Sequence, residues 1–158
     1  MLLRAAALAL TLALPAMAQD VADMAPRDGW TVIPTAQTFD QLVEGTRGAA
    51  KAGGLAVVTM AGPTDAAAQR GIDIPGNRVI GLYNNDFAVR VLRQSTAAMI
   101  EAPIRVYVTE NADGTATLSY KLPSAVLAPY MTEAPDLAAI AAELDAAFAT
   151  VAATATGS

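Results

Sequence analysis

Hydrophobic positions along the chain change their spacing several times, and each change marks an element. Trp30 to Ile33 is a short β-prone run stopped by Pro34, which predicts a first strand. Thr38 with Gln41 fits a capping box, and Phe39, Leu42, Val43, Thr46 and Ala50 follow at helical spacing. Gly53-Gly54 supplies a left-handed stop for that helix. Gly45 and Gly48 inside it each cost about 1 kcal/mol against Ala, and close packing on a sheet would account for them. Leu55 to Met60 is a continuous apolar run ended by Gly62-Pro63, the pattern of a strand buried on both faces. Thr64 to Arg70 predicts a short helix ending at Gly71, and Arg78 to Tyr83 another nearly unbroken apolar strand. Asn84-Asn85-Asp86 offers several N-caps for a helix running to about Ile100, with Phe87, Val91, Leu92, Ser95 and Met99 as its inner stripe.

The clearest local pattern is Ile104 to Lys121, two alternating runs flanking Ala112-Asp113-Gly114. A two-residue loop would pair Val106 with Lys121 and Val108 with Ser119, mixing core and surface residues on each face. A three-residue loop pairs Ile104 with Leu122, Val106 with Tyr120 and Val108 with Leu118, and puts Gly114 where a left-handed residue is wanted. The second register is therefore predicted. After Pro123 a short helical stretch reaches Met131. Pro135 opens a last helix with Leu137, Ile140, Leu144, Phe148 and Val151 on one face, and Thr154 to Ser158 is expected to fray. That apolar stripe covers the domain's own sheet or meets a partner.

The order β-α-β-(α)-β-α-β-β-α predicts a single α+β domain, a mixed or antiparallel sheet of about five strands with helices packed on one face. The expected organisation is a leader over 1–18, a flexible lead-in over 19–29, the domain over 30–131, a C-terminal helix over 132–153 and a tail.

The leader has the plan of an export signal. Arg4 precedes a ten-residue apolar run from Ala5 to Leu14, Pro15 breaks it, and Ala16-Met17-Ala18 presents the small residues that a signal peptidase reads. The run is half the length of a spanning helix. Cleavage after Ala18 and a periplasmic or secreted location are expected, with no stable membrane anchor left afterwards. Removing Arg4 takes the charge from −5 to 9 − 15 = −6. So acidic a chain lacks the broad basic surface of a nonspecific nucleic-acid binder. The absence of His and Cys excludes a Ser-His-Asp triad, a thiol nucleophile, a thiolate zinc site and any disulfide built from one copy. Alanine supplies 37 of 158 residues, so the 54% apolar fraction overstates the core.

The stretch from about Gly71 to Pro129 resembles the family catalogued as domain of unknown function 302. Arg78-Val79-Ile80-Gly81-Leu82-Tyr83-Asn84, Ala102-Pro103-Ile104-Arg105-Val106, Asp113-Gly114 and Tyr120-Lys121-Leu122-Pro123 carry the resemblance, in that order. The Trp30 strand, the Thr38 helix and the Gly54 strand resemble the family's front half more loosely. Asp86 stands where the pattern has Pro, and Ala102 where it has a larger apolar residue. The resemblance implies a small α+β domain, sometimes exported and able to pair with itself, and no established reaction.

Candidate chemistry follows from the hairpin register. It sets Arg105 opposite Lys121, Tyr107 opposite Ser119 and Thr109 opposite Thr117 on one face. Like charges directly opposite on a sheet are unfavourable. Two of the nine mature basic residues thus share a place that disfavours them, which suits a pocket for an anion, with Tyr107 and Ser119 adding hydrogen bonds. A solvated face on which the two side chains splay apart, or meet Glu101, is the alternative. Tyr83, Tyr120 and Tyr130 are secondary candidates or partly buried rings, and Arg90 and Arg93 either reach the same site or stay solvated. Glu101 and Glu110 are the nearest thing to a catalytic carboxylate pair. Asn111 to Gly114 lacks the further ligands of a calcium loop, and no metal or cofactor is expected. Ser119 and Lys121, about 7 Å apart on one strand face, are too far for a direct hydrogen bond. The expected function is an exported, non-catalytic binding or accessory domain for an anionic or apolar small molecule. The alternatives are a structural or interaction domain acting as a homo-oligomer, and a hydrolase-like enzyme using carboxylate or Lys/Tyr chemistry.

Overall fold

The computed structural model describes residues 21–158. The leader, with its expected cleavage site, lies outside them. Five strands form one sheet in the order β1-β5-β4-β3-β2, each pair antiparallel. They are β1 (Trp30–Pro34), β2 (Ala56–Ala61), β3 (Asn77–Tyr83), β4 (Ile104–Glu110) and β5 (Ala116–Lys121). The helices are α1 (Phe39–Ala49), α2 (Thr64–Ala68), α3 (Asn85–Gln94), α4 (Pro123–Leu127) and α5 (Leu137–Thr156). The element order is the predicted one, and the fold is α+β.

Local signals place most of these boundaries. The Thr38 hydroxyl accepts from the Gln41 amide, and the Gln41 side chain accepts from the Thr38 amide, a complete capping box. A 3-10 turn over 50–53 extends α1, and Gly54 ends it at φ +70°. Asn84 caps α3 by accepting from the Asp86 and Phe87 amides. In the hairpin Val106 faces Tyr120 and Val108 faces Leu118, the three-residue-loop register, with Gly114 at φ +81°.

The core lies between the sheet and α1, α4 and α5. Ile80, Leu82, Val106, Val108, Leu118 and Tyr120 point from the sheet into it. Leu137, Ile140, Leu144, Phe148 and Val151 meet them or the neighbouring helices, and every one is buried. The stripe of α5 therefore covers its own domain.

Four expectations need correction. β2 is an edge strand and largely exposed, not buried on both faces, with Val58 49% and Met60 37% accessible. Its unbroken apolar run gave no sign that one hydrogen-bonding edge stays unpaired. α3 stops at Gln94, because Ser95 turns extended and its hydroxyl accepts from the Ala98 amide, starting a separate turn over 98–101. Leu92 consequently faces solvent at 50% exposure, and Ala88 and Val91 are the buried positions of α3. The C-terminal residues hold helix through Thr156, where Gly157 at φ +74° caps α5, and Val151, Ala152 and Ala155 are buried. Gly45 approaches the Ala155 carbonyl of α5 rather than a strand, and Gly48 has open space. The close helix contact is at Gly53, where an added Cβ would lie 2.6 Å from the Ala147 carbonyl oxygen.

Candidate functional site

Helices cover one face of the sheet and leave the other for a site. Alternation along β4 and β5 puts Val106, Val108, Leu118 and Tyr120 inward, so Arg105, Tyr107, Ser119 and Lys121 project from the opposite face. Tyr107 pairs directly with Ser119, and two residues further along that register Arg105 stands across from Lys121. Arg105 also faces Gly81 on β3, where the lack of a side chain leaves the space beside it to Thr59 and Pro103.

These positions border a groove of about 410 Å³. Arg105 and Lys121 supply its positive charge, while Tyr107, Asn77 and Glu101 supply polar groups. Trp30, Val79, Ile104 and Val126 give it an apolar wall. Trp30 stands here because β1 pairs with β5 and sets Trp30 beside Lys121. The Lys121 ammonium lies 5.6 Å from the indole centroid and the Arg27 guanidinium 5.3 Å from it. The lead-in before β1 is thus tied at Arg27, and again at Asp23, whose carboxylate accepts from the Ala112 amide at the hairpin loop.

Polar contacts within the groove are uneven. The Asn77 amide donates to the Tyr107 hydroxyl, which fixes the ring. The Tyr130 hydroxyl donates to Glu101 Oε1 at 2.8 Å, and this bond to a carboxylate raises the Tyr130 pKa above the ordinary phenol value. Arg105, like Arg27, Arg70 and Arg93, has no carboxylate or hydrogen-bond partner among the described residues, whereas Arg47, Arg78 and Arg90 each have one. Ser119 is fully buried, and its hydroxyl likewise has no partner among the described residues. It lies on the groove's face without being part of the lining.

The secondary candidates are dispersed. Tyr120 packs in the core against Phe148, ring centroids 5.5 Å apart, on the side of the sheet away from the groove. Tyr83 lines a separate apolar crevice under α3. Arg90 forms a two-pronged ion pair with Glu143 of α5 at 2.6 and 2.7 Å, with Arg93 in a shallow depression nearby. Glu110 ends β4 and Glu101 ends the turn three residues before that strand starts, so the strand's length of about 20 Å lies between them and they form no acid–base pair. Glu110 accepts from the Gly76 amide instead. Asp113 accepts from the amide and hydroxyl of Thr115, which lowers its pKa and commits it to the hairpin turn.

Sequence reasoning brought Arg105, Tyr107 and Lys121 to one face but missed Trp30, Asn77 and Val126. Their places depend on β1 and β3 flanking the hairpin and on α4 lying at its end. The only early sign was the isolation of the chain's single tryptophan in a five-residue strand.

The architecture defines an α+β domain with an open-faced antiparallel sheet and a cation-bearing groove on the open side. The chain belongs to the family described as domain of unknown function DUF302, whose model matches residues 31–155. That span carries the domain through α5, beyond residue 131, where the quoted motifs led us to expect its end. A crystal structure of an uncharacterized conserved DUF302 protein from Bacillus stearothermophilus has a similar fold, with TM-score 0.69 and 19% identity. The alignment covers 79% of this chain and 96% of that one. No curated relative matches.

Proposed function

We propose that this is an exported binding domain for a small organic anion, held in the open-face groove, with no catalytic chemistry of its own. The observation that carries this reading is Arg105 set across from Lys121 in a groove with one apolar wall, with no ion-pair partner for Arg105 among the described residues. A carboxylate or comparable anion would offset the repulsion between the two cations, and Arg105 presents a guanidinium suited to two-pronged contact. The Trp30, Ile104 and Val126 wall would take the apolar part of the same molecule, and the Tyr107 hydroxyl would add a polar contact.

Export is the second component, supported by the Arg4, Ala5–Leu14 and Ala16-Met17-Ala18 pattern. Mass spectrometry of the protein from a secreting host is expected to find Gln19 as the first residue; an intact Met1 would refute it. Binding is tested by titrating small organic carboxylates into the wild type and an Arg105→Ala/Lys121→Ala double variant. Retained wild-type affinity in the double variant would end the proposal.

A second reading, a homo-oligomer joined through the sheet, is favoured by the unpaired β2 edge with its exposed Val58 and Met60. The irregular pairing between Val57 and Thr59 works against it, because such a bulge bends an edge away from partners. Light scattering on the wild type and a Val58→Lys variant decides it. A dimer that dissociates in the variant favours the second reading, and a monomer in both removes it.

A further inference from the structure

The groove adjoins a second cavity. Behind it, between the sheet, α3 and residues 98–102, lies an apolar crevice of about 40 Å³ walled by Leu55, Leu82, Phe87, Val91, Met99 and Leu127. The two spaces share two lining residues, Glu101 and Ile104. Ile104 is the first residue of β4, at the end of the sheet where open face and core meet. Glu101 ends the turn before it and is held by the Tyr130 hydroxyl.

This arrangement separates charge from grease along one line. The cations lie on the groove side of the boundary, the crevice has an almost wholly apolar wall, and a fixed carboxylate stands between them. An anionic head near Glu101 would be repelled toward Arg105 and Lys121, so only an uncharged end can pass the boundary. The crevice has room for about three water-sized atoms, at 10–15 Å³ each. An unbranched alkyl end fits that space and a ring does not.

We infer that the groove's ligand class is a straight-chain alkyl carboxylate of medium length, its head at Arg105 and Lys121 and its terminal carbons past Ile104 in the crevice under α3. This rests on the binding reading above and adds the shape of the ligand to its charge. Each methylene taken from water is worth about a fourfold gain in affinity, so affinity should climb with chain length and level off once the crevice is full.

The test uses linear carboxylates from four to ten carbons, kept below micelle-forming concentrations, with Trp30 fluorescence as the signal. The probe series is run on the wild type, on Ala88→Leu, which fills the crevice from α3, and on Arg105→Ala/Lys121→Ala. Thermal melts check folding of each, and Val91→Met replaces Ala88→Leu if the latter fails to fold. The expected result in the wild type is a rise of about fourfold per carbon over the roughly three carbons that enter the crevice, then a plateau. In Ala88→Leu that rise is lost while the four-carbon acid binds as before. A flat series that still depends on Arg105 and Lys121 would overturn the crevice assignment and leave the groove standing. Failure of every chain length to bind would overturn both.

Discussion

Phe148 is the residue through which α5 can be tested as part of this fold. Its side chain is 1% exposed and tilted against Tyr120 at a centroid distance of 5.5 Å, joining the last helix to the central strands. Phe148→Ala removes the ring and leaves a void that the surrounding strands and helix can only partly close. Core Phe→Ala changes cost about 3–5 kcal/mol, and loss of the aromatic contact favours the upper half of that range. About 4 kcal/mol is a large share of the 5–15 kcal/mol that typically holds a domain together. With a urea m-value of about 2 kcal/mol/M, the unfolding midpoint should fall by about 2 M with the slope unchanged. Far-ultraviolet circular dichroism follows α5, and Trp30 fluorescence follows the opposite face of the sheet. The two transitions should coincide if the helix and sheet unfold together. A fall under 0.5 M, or a helix signal lost before the Trp30 signal, would mean that α5 is not docked in solution. Its apolar stripe would then be available to a partner after all.

Gly53→Ala should destabilise by about 1–3 kcal/mol, since the new methyl group meets the Ala147 carbonyl and Val151 at 2.6 Å, and a thermal melt measures it. The same change at Gly48, which faces open space, should be neutral or stabilising. Glu143 has its pKa lowered, first by its hydrogen bond to Arg90, so its stabilising effect is present above the unfolded carboxylate value and fades as pH falls through the folded one. The stability gap between wild type and Glu143→Gln should therefore be measurable at pH 7 and shrink as pH falls below the unfolded carboxylate value; a gap that widened in acid would reverse the assignment. Arg105→Thr should raise stability slightly in the absence of ligand, with the gain shrinking in high salt, because it relieves repulsion with Lys121. Stability lost in the variant would show that Arg105 has a structural partner. Tyr120→Phe should leave anion binding unchanged by titration, since the ring lies on the core side of the sheet.

What could be read ahead of the structure divides along a physical line. The capping box, the Gly114 loop and the α5 stripe depend on residues within a few positions of one another, and all three stand where their local chemistry puts them. The hairpin register was legible for the same reason, because a slip by one residue would have turned a polar row into the core. The β2 run failed because an apolar strand reads alike at the centre and the edge of a sheet, and only the pairing order tells them apart. The end of α3 failed because Ser95 carries a helical spacing while its hydroxyl serves the next turn. In the groove, Arg105, Tyr107 and Lys121 came from one hairpin and were foreseeable. Trp30 and Asn77 are 91 and 44 positions from Lys121, and no local pattern joins residues so far apart.

The proposed groove rests on where Arg105 stands more than on its lack of an ion pair. Arg47, Arg78 and Arg90 have carboxylate partners, while Arg27, Arg70, Arg93 and Arg105 have none among the described residues, so a missing counter-charge does not by itself set Arg105 apart. What distinguishes Arg105 is its place across the sheet from a second cation, Lys121. The nearby carboxylate of Glu101 is occupied by the Tyr130 hydroxyl. A cation facing solvent with no task could be replaced by threonine at no cost to a β-strand, and would remove a like-charge neighbour in doing so. On the proposed function, two basic side chains on adjacent strands, one stacked on the chain's single indole and the other left open, would be matched by an anion that brings its own negative charge to the sheet.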